Sequence, residues 1–176
     1  MVFQRFALFP HKTVLENVAY GLDLQARGRA ERDANRAIAQ RWIERVGLAG
    51  YERQYPGQLS GGMQQRASIC RALVHEPEIL MLDEPFGALD AFTREELWCT
   101  LRDLQAARKV TVLLVTHDLR EAVFLADTVY VMSNRPGRIL KRCEVRIPRP
   151  RDLDVTYTPE FQDIVHELRA LIGGRH

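Results

Sequence analysis

Residues Ile79-Leu80-Met81-Leu82 form a continuous apolar run that ends on two adjacent carboxylates, Asp83 and Glu84, just before Pro85. A run this short has strand length. Unbroken hydrophobicity, rather than alternation, predicts a strand buried on both faces, as in parallel sheets. Residues 110–115 repeat the pattern, and 128–132 and 139–145 read as two more strands joined by a turn at Pro136-Gly137. A chain of this kind must place helices on its strands, because two-sided apolar strands cannot face water.

The helical signals lie in the right places. Thr13 and Glu16 make a capping box, followed by Val14, Leu15, Val18, Ala19 and Leu22 at helical spacing. Gly28 breaks that helix. A second spans about 30–46, with Ala34, Ile38, Trp42 and Val46 on one face, and Gly47 and Gly50 close it. Pro56 and Gly57 mark a loop; Ser60 can cap a helix to about residue 75, which Pro77 stops. Further helices are expected over about 93–107 and 119–126, and from Thr158-Pro159 onward. Strands alternating with helices imply an α/β fold with a largely parallel sheet, and the purely helical stretch 13–75 stands out as a subdomain.

Composition excludes several classes. The 176 residues suit one domain, and 46% hydrophobic with 27% charged residues is the balance of an ordinary folded protein. A net charge of +2 gives no reason to propose nucleic acid. Cys70, Cys99 and Cys143 share no C-x-x-C spacing, which fits a reduced cytosolic compartment better than a disulfide framework or zinc site. No apolar run approaches the roughly 18 residues of a membrane span, so a membrane connection would run through a partner protein.

Three short stretches can carry chemistry. Ser60-Gly61-Gly62 opens a helix, where free N–H groups and the helix dipole favour an anion and glycine allows close approach. A capped helix after a flexible turn explains the same residues. Asp83 and Glu84 end a strand, where open α/β sheets bind ligands. One carboxylate can hold Mg²⁺ through water and the next can polarise an attacking water, although a solvated Asp-Glu turn reads the same way. His117, in Thr116-His117-Asp118 after the second strand, could reach a terminal phosphate or simply cap a helix. Gln4 has the weakest individual case.

Together, in order and spacing, these elements resemble the ATPase subunits of ABC transporters. Val2-Phe3-Gln4 looks like the Q-loop, residues 59–66 match the signature motif, and 79–85 look like Walker B with its glutamate. Gly87-Ala88-Leu89-Asp90 matches the D-loop, and Thr116-His117-Asp118 the switch-histidine motif. Residues 1–18, 121–127 and 131–139 are similar to the nitrate/sulfonate/taurine importer group, with His11 where that group commonly has tryptophan. Chromosome-maintenance and DNA-repair ATPases place a long coiled coil before the signature; here ordinary helices join Gln4 and Ser60.

The resemblance implies roles residue by residue. Glu84 would be the general base or water-positioning carboxylate, and His117 would contact the γ-phosphate. Asp83 would hold Mg²⁺ through water, and Gln4 would reach the metal and the water. Ser60, Gly61, Gly62 and Gln64 would meet ATP bound on the opposite subunit, and Asp90 would signal across the interface. The implied assembly is a head-to-tail dimer of ATPase subunits on two ATP molecules, docked on transmembrane permease subunits at the cytoplasmic face of the membrane and served by a periplasmic or extracellular solute-binding protein. The domain plan is a single partial ATPase domain: helical subdomain 13–75, core sheet portion 1–12 and 76–147, and C-terminal extension 148–176.

The chain contains no G-x-x-x-x-G-K-[ST] sequence. In the family that phosphate loop precedes the Q-loop, so Met1 is expected to be an internal position of a longer protein. The isolated chain is then expected neither to bind nor to hydrolyse ATP appreciably. Two alternatives remain: a non-hydrolytic interaction module, and a chain that completes one site of a mixed dimer through its signature half.

Overall fold

The computed structural model describes residues 8–108 and 110–173. Gln4 and the strand end expected over 1–4 lie outside the described residues.

The first half is helical, and local chemistry sets each helix end. Helix α1 (Val14–Gln25) starts on the capping box: Glu16 N donates to Thr13 Oγ1 at 3.3 Å, and Thr13 N to Glu16 Oε2 at 2.8 Å. Gly28 precedes α2 (Arg29–Arg45), and Gly47, with φ +71°, lets the chain leave it in the left-handed region. Ser60 opens α3 (Gly61–Leu73) by accepting from Met63 N at 3.3 Å. Helix α1 packs on both α2 and α3, burying Val14, Val18, Ala19, Ala39, Trp42, Ile43, Ala67, Cys70 and Leu73 in one core. Full burial of each large aliphatic side chain contributes about 1.5–3 kcal/mol. The backbone of α1 lies tight against a side chain at Gly21, where a Cβ would sit 2.0 Å from His75 Nε2. Asn17, fully buried, ties the preceding loop to α1: its amide donates to Phe9 O, Lys12 O and Thr13 O and accepts from Phe9 N.

Strands follow. β1 (Ile79–Asp83) pairs in parallel with β2 (Thr111–Val115), from Ile79 opposite Thr111 to Asp83 opposite Val115. The crossover between them contains α4 (Ala91–Arg108), which buries Leu97, Trp98, Leu101 and Leu104. β3 (Thr128–Met132) and β4 (Ile139–Glu144) form an antiparallel pair with an irregularity between Val131 and Met132. Among the described residues the two pairs are separate sheets.

The expectation that β1 and β2 are buried on both faces is corrected here. Leu80 and Leu82 are 1% exposed, but Ile79 is 61% and Met81 42% exposed, and Leu113 and Val115 on β2 are 51% and 54% exposed. Leu80 and Leu82 share their core with the helices. Among the described residues, no element covers the opposite face. Sequence hydrophobicity reports what a strand can bury, and the layers present decide what it does bury.

The C-terminal part wraps back. Asp118 caps α5 (Leu119–Leu125), its Oδ1 accepting from Arg120 N and Glu121 N. Thr158 precedes α6 (Pro159–Gly173), which packs against α5 and buries Phe161 and Leu168. Between β4 and α6, Arg151 turns inward and is 2% exposed. Its guanidinium donates to Val123 O, Phe124 O and Ala126 O at the end of α5, and to Val145 O and Ile147 O. A buried cation thus satisfies helix-terminal carbonyls and meets the negative end of the helix dipole. Among the described residues, no helix is long and apolar enough to cross a membrane.

Candidate functional site

The parallel pairing brings the ends of β1 and β2 level. Glu84 N donates to Val115 O at 2.8 Å, so the ladder runs one residue past the strand and fixes where Glu84 leaves it. The chain then turns sharply: Glu84 has φ +43°, the left-handed region that non-glycine residues rarely occupy. Such a conformation costs about 1–3 kcal/mol and is kept where the surroundings enforce it. The turn sends the carboxylate toward the end of β2, where His117 Nδ1 lies 3.2 Å from Glu84 Oε1. The imidazole is 73% exposed and Glu84 32% exposed, so a small molecule can reach both. Gly87 closes the turn, and a Cβ there would sit 3.8 Å from Glu84 Oε2 and 3.9 Å from His117 Cε1.

The carboxylate of Asp83, adjacent and partly buried, makes no hydrogen bond or ion pair with any described residue. Among the described residues, no group of three or more His, Cys, Asp or Glu side chains could hold a metal unaided. One uncommitted carboxylate fits a Mg²⁺ ion that keeps its water and arrives on a phosphate; it does not fit a protein-only cage.

The signature residues form a second cluster. Ser60 is exposed and serves the α3 N-terminus. Gln64 Nε2 donates back to Leu59 O at 3.3 Å, and Arg66 pairs with Glu96 at 2.8 Å. Gly62 is buried, and a Cβ on it would come within 2.3 Å of Thr93 Cγ2. Thr93 in turn binds Asp90: its N donates to Oδ1 at 3.0 Å and its Oγ1 to Oδ2 at 2.6 Å. These bonds hold the Asp90 carboxyl below its usual range and place it at the start of α4. Gly61 lies beside Ser60 and is partly exposed.

The two clusters meet through α4. Arg94, next to Thr93, donates from Nη1 to Asp118 Oδ2 at 2.8 Å, and Asp118 is next to His117. Sequence reasoning singled out Asp90 and His117 separately and missed Arg94. It also missed Glu121, which is 2% exposed and whose carboxyl is pushed up to about 8, first by burial and then by the nearby Asp118 charge. The signal was present: Glu121 shares the inward stripe of α5 with Phe124 and Leu125, a core position for an acid.

The profile of the ABC transporter family matches residues 1–87. The nitrate import ATP-binding protein of Synechocystis is 41% identical over 181 residues, covering 99% of this chain and 67% of the relative. This chain belongs to the ABC transporter family. The aliphatic sulfonates import ATP-binding protein of Bacillus licheniformis is 48% identical over 163 residues, covering 93% of this chain and 60% of the relative. Among solved structures, the ATP-binding cassette MJ0796, as a dimer in a post-hydrolysis state with ADP and Pi, matches with TM-score 0.69 at 34% identity, over 82% of this chain and 62% of that one. The fold is therefore that of an ABC ATPase cassette. The chain spans about 60% of the length of curated relatives such as the sulfonate protein.

Proposed function

We propose that this chain is the greater part of the ATP-hydrolysing subunit of an ABC importer for nitrate, a sulfonate, taurine or a related small solute. The observation that carries the reading is the Glu84–His117 pair, held 3.2 Å apart where two parallel strands end. In this reading Glu84 orients the attacking water and draws off its proton, and His117 steadies the γ-phosphate. Asp83, together with Gln4, would hold Mg²⁺, which supplies charge neutralisation on the phosphates. The name of the Synechocystis relative supports nitrate, and that of the Bacillus relative supports sulfonates.

ATP hydrolysis also needs donors for the remaining phosphates, which the phosphate loop gives in this family. The 176 residues contain no such sequence, so the isolated chain is expected to be inactive. The partners proposed are a second ATPase subunit in a head-to-tail dimer, permease subunits at the cytoplasmic face whose coupling helix a groove of the helical subdomain 13–75 receives, and indirectly a solute-binding protein. The domain plan stands on the same reading, with 148–176 as an extension.

The test joins this chain to the segment of the Synechocystis relative that precedes the matched region. ATP turnover is expected, and Glu84→Gln should reduce it by about 10²–10⁴-fold. Turnover that is unchanged by Glu84→Gln would refute the role of the pair. A second reading is favoured by the intact signature helix with its Ser60 cap: the unmodified chain completes one site of a mixed dimer. Association with an intact relative that strengthens on adding ATP supports this reading, and ATP-independent association refutes it.

A further inference from the structure

The turn that carries His117 rests on an acid that packing alone does not explain. Glu121 sits in the α4–α5 interface, 2% exposed. Its neighbours are the side chains of Thr116, Asp118, Arg94 and Trp98. Four polar atoms of this interface are buried without a hydrogen-bond partner: Glu121 Oε1, Trp98 Nε1, Arg94 Nε and Arg120 Nε. Each such group costs about 1–3 kcal/mol. A leucine at 121 would continue the stripe of Phe124 and Leu125 without that cost.

Three of these neighbours, Thr116, Asp118 and Arg94, lead to His117. Thr116 precedes the histidine, and its Oγ1 accepts from Asp118 N at 2.9 Å, which leaves its hydroxyl proton to point elsewhere. Asp118 follows the histidine and is held by Arg94 at 2.8 Å and by the N–H groups of Arg120 and Glu121. Arg120 is turned away toward Glu95 at 3.6 Å and Thr156 at 3.2 Å. Helix α6 packs on α5 with Glu160, Asp163, His166, Glu167 and Arg169 at the surface. The charges nearest Glu121 are therefore Asp118 and Arg94.

We infer that Glu121 is a positioning residue for His117, setting the strand-to-helix turn through Thr116 and Asp118 so that the imidazole stays against Glu84. With its proton on, Glu121 leaves Arg94 to Asp118 alone. Ionised, it places a second negative charge beside Asp118 and competes for the same guanidinium, which loosens the residue bonded to His117. The significance of this rests on His117 and Glu84 being the hydrolytic pair; the coupling itself does not.

The test uses the full 176-residue chain, labelled with ¹³C at histidine Cε1 and glutamate Cδ. His117 is assigned by its loss in His117→Gln, and Glu121 by its loss in Glu121→Gln. Glu121 Cδ is expected to titrate near 8, and the His117 signal to show an inflection at the same pH. Glu121→Gln should remove that inflection, and Thr116→Val should weaken it. A His117 signal that passes smoothly through the Glu121 titration, or is unaltered in Glu121→Gln, overturns the inference. If Glu121→Gln does not fold, Glu121 Cδ is assigned through Glu121→Asp and the unsubstituted chain alone decides. Because the readout is a resonance and not turnover, an inactive fusion with this coupling intact would sink the proposed function and leave the inference standing.

Discussion

Replacing Arg151 by methionine keeps the aliphatic stem and removes the guanidinium. Five hydrogen bonds go with it, at 2.7–3.2 Å, to carbonyls of Val123, Phe124, Ala126, Val145 and Ile147. Hydrogen bonds to charged groups contribute about 1.5–3 kcal/mol each. Burial works against the cation and pulls the guanidinium below its usual range, so those values cannot be summed over one guanidinium. What the substitution leaves is decisive: three carbonyls at the end of α5 lose a partner, two of them, Val123 O and Phe124 O, in a place water does not reach. Removing one member of such a buried charged network costs about 3–5 kcal/mol. With a urea dependence of about 2 kcal/mol per molar, the unfolding midpoint should fall by about 2 M. Arg151→Lys, whose ammonium has three donors, should recover part of that loss. A loss below about 1 kcal/mol for Arg151→Met would refute the view that this cation holds the C-terminal segment to α5.

Three further outcomes follow from the same interfaces. Glu121 keeps its proton in the fold up to about 8 against an ordinary 4.5, so the folded chain binds the proton more tightly; its contribution is full below about 4.5 and is lost as pH rises to about 8. The unfolding free energy from urea titration should therefore fall across that window by an amount on the order of 5 kcal/mol at most, and Glu121→Gln should flatten the profile; a slope equal to that of the unsubstituted chain would refute the assignment. Gly62→Ala drives a methyl into Thr93 Cγ2, and should cost about 1–3 kcal/mol by thermal unfolding. Adding Thr93→Ser, which deletes that methyl and keeps the hydroxyl for Asp90, should restore most of it; no rescue means the contact is not the cause. Glu84→Gly should be about 1 kcal/mol more stable than Glu84→Ala in urea titration, because both lose the carboxylate and only glycine accepts φ +43° without strain; a glycine variant less stable than the alanine variant would show that the turn stores none.

How much of this was legible in the sequence depends on how far each cause lies along the chain. Helix ends were legible, because Thr13, Gly28, Gly47 and Ser60 act within a turn of themselves. The order of β1, α4 and β2 was legible for the same reason, as apolar runs and periodicity are local. Exposure of Ile79, Met81, Leu113 and Val115 was not, since it is set by which layers pack on the sheet. In the site, the residue types of Asp83, Glu84 and His117 were visible, but the left-handed turn that aims Glu84 at His117 has no signature in Glu84-Pro85 itself.

The least legible parts are those where distant segments share a charge. Arg149, Pro150 and Arg151 fall in the C-terminal extension with no role assigned, yet Arg151 is buried against α5 and Arg149 reaches Asp127 and Leu125 O. Arg94 meets Asp118 only because parallel pairing carries α4 past the end of β2. The consequence is a short helix, α5, fixed at both ends by arginines, Arg94 at its N-cap and Arg151 at its C-terminal carbonyls, with a buried acid between. His117 sits immediately before it. A helix held this way cannot drift independently of the start of α4, where Thr93, hydrogen-bonded to Asp90, packs against Gly62 of the signature helix. Movement of the signature relative to α4 therefore has a route of direct contacts to the histidine, running through Thr93, Arg94 and Asp118.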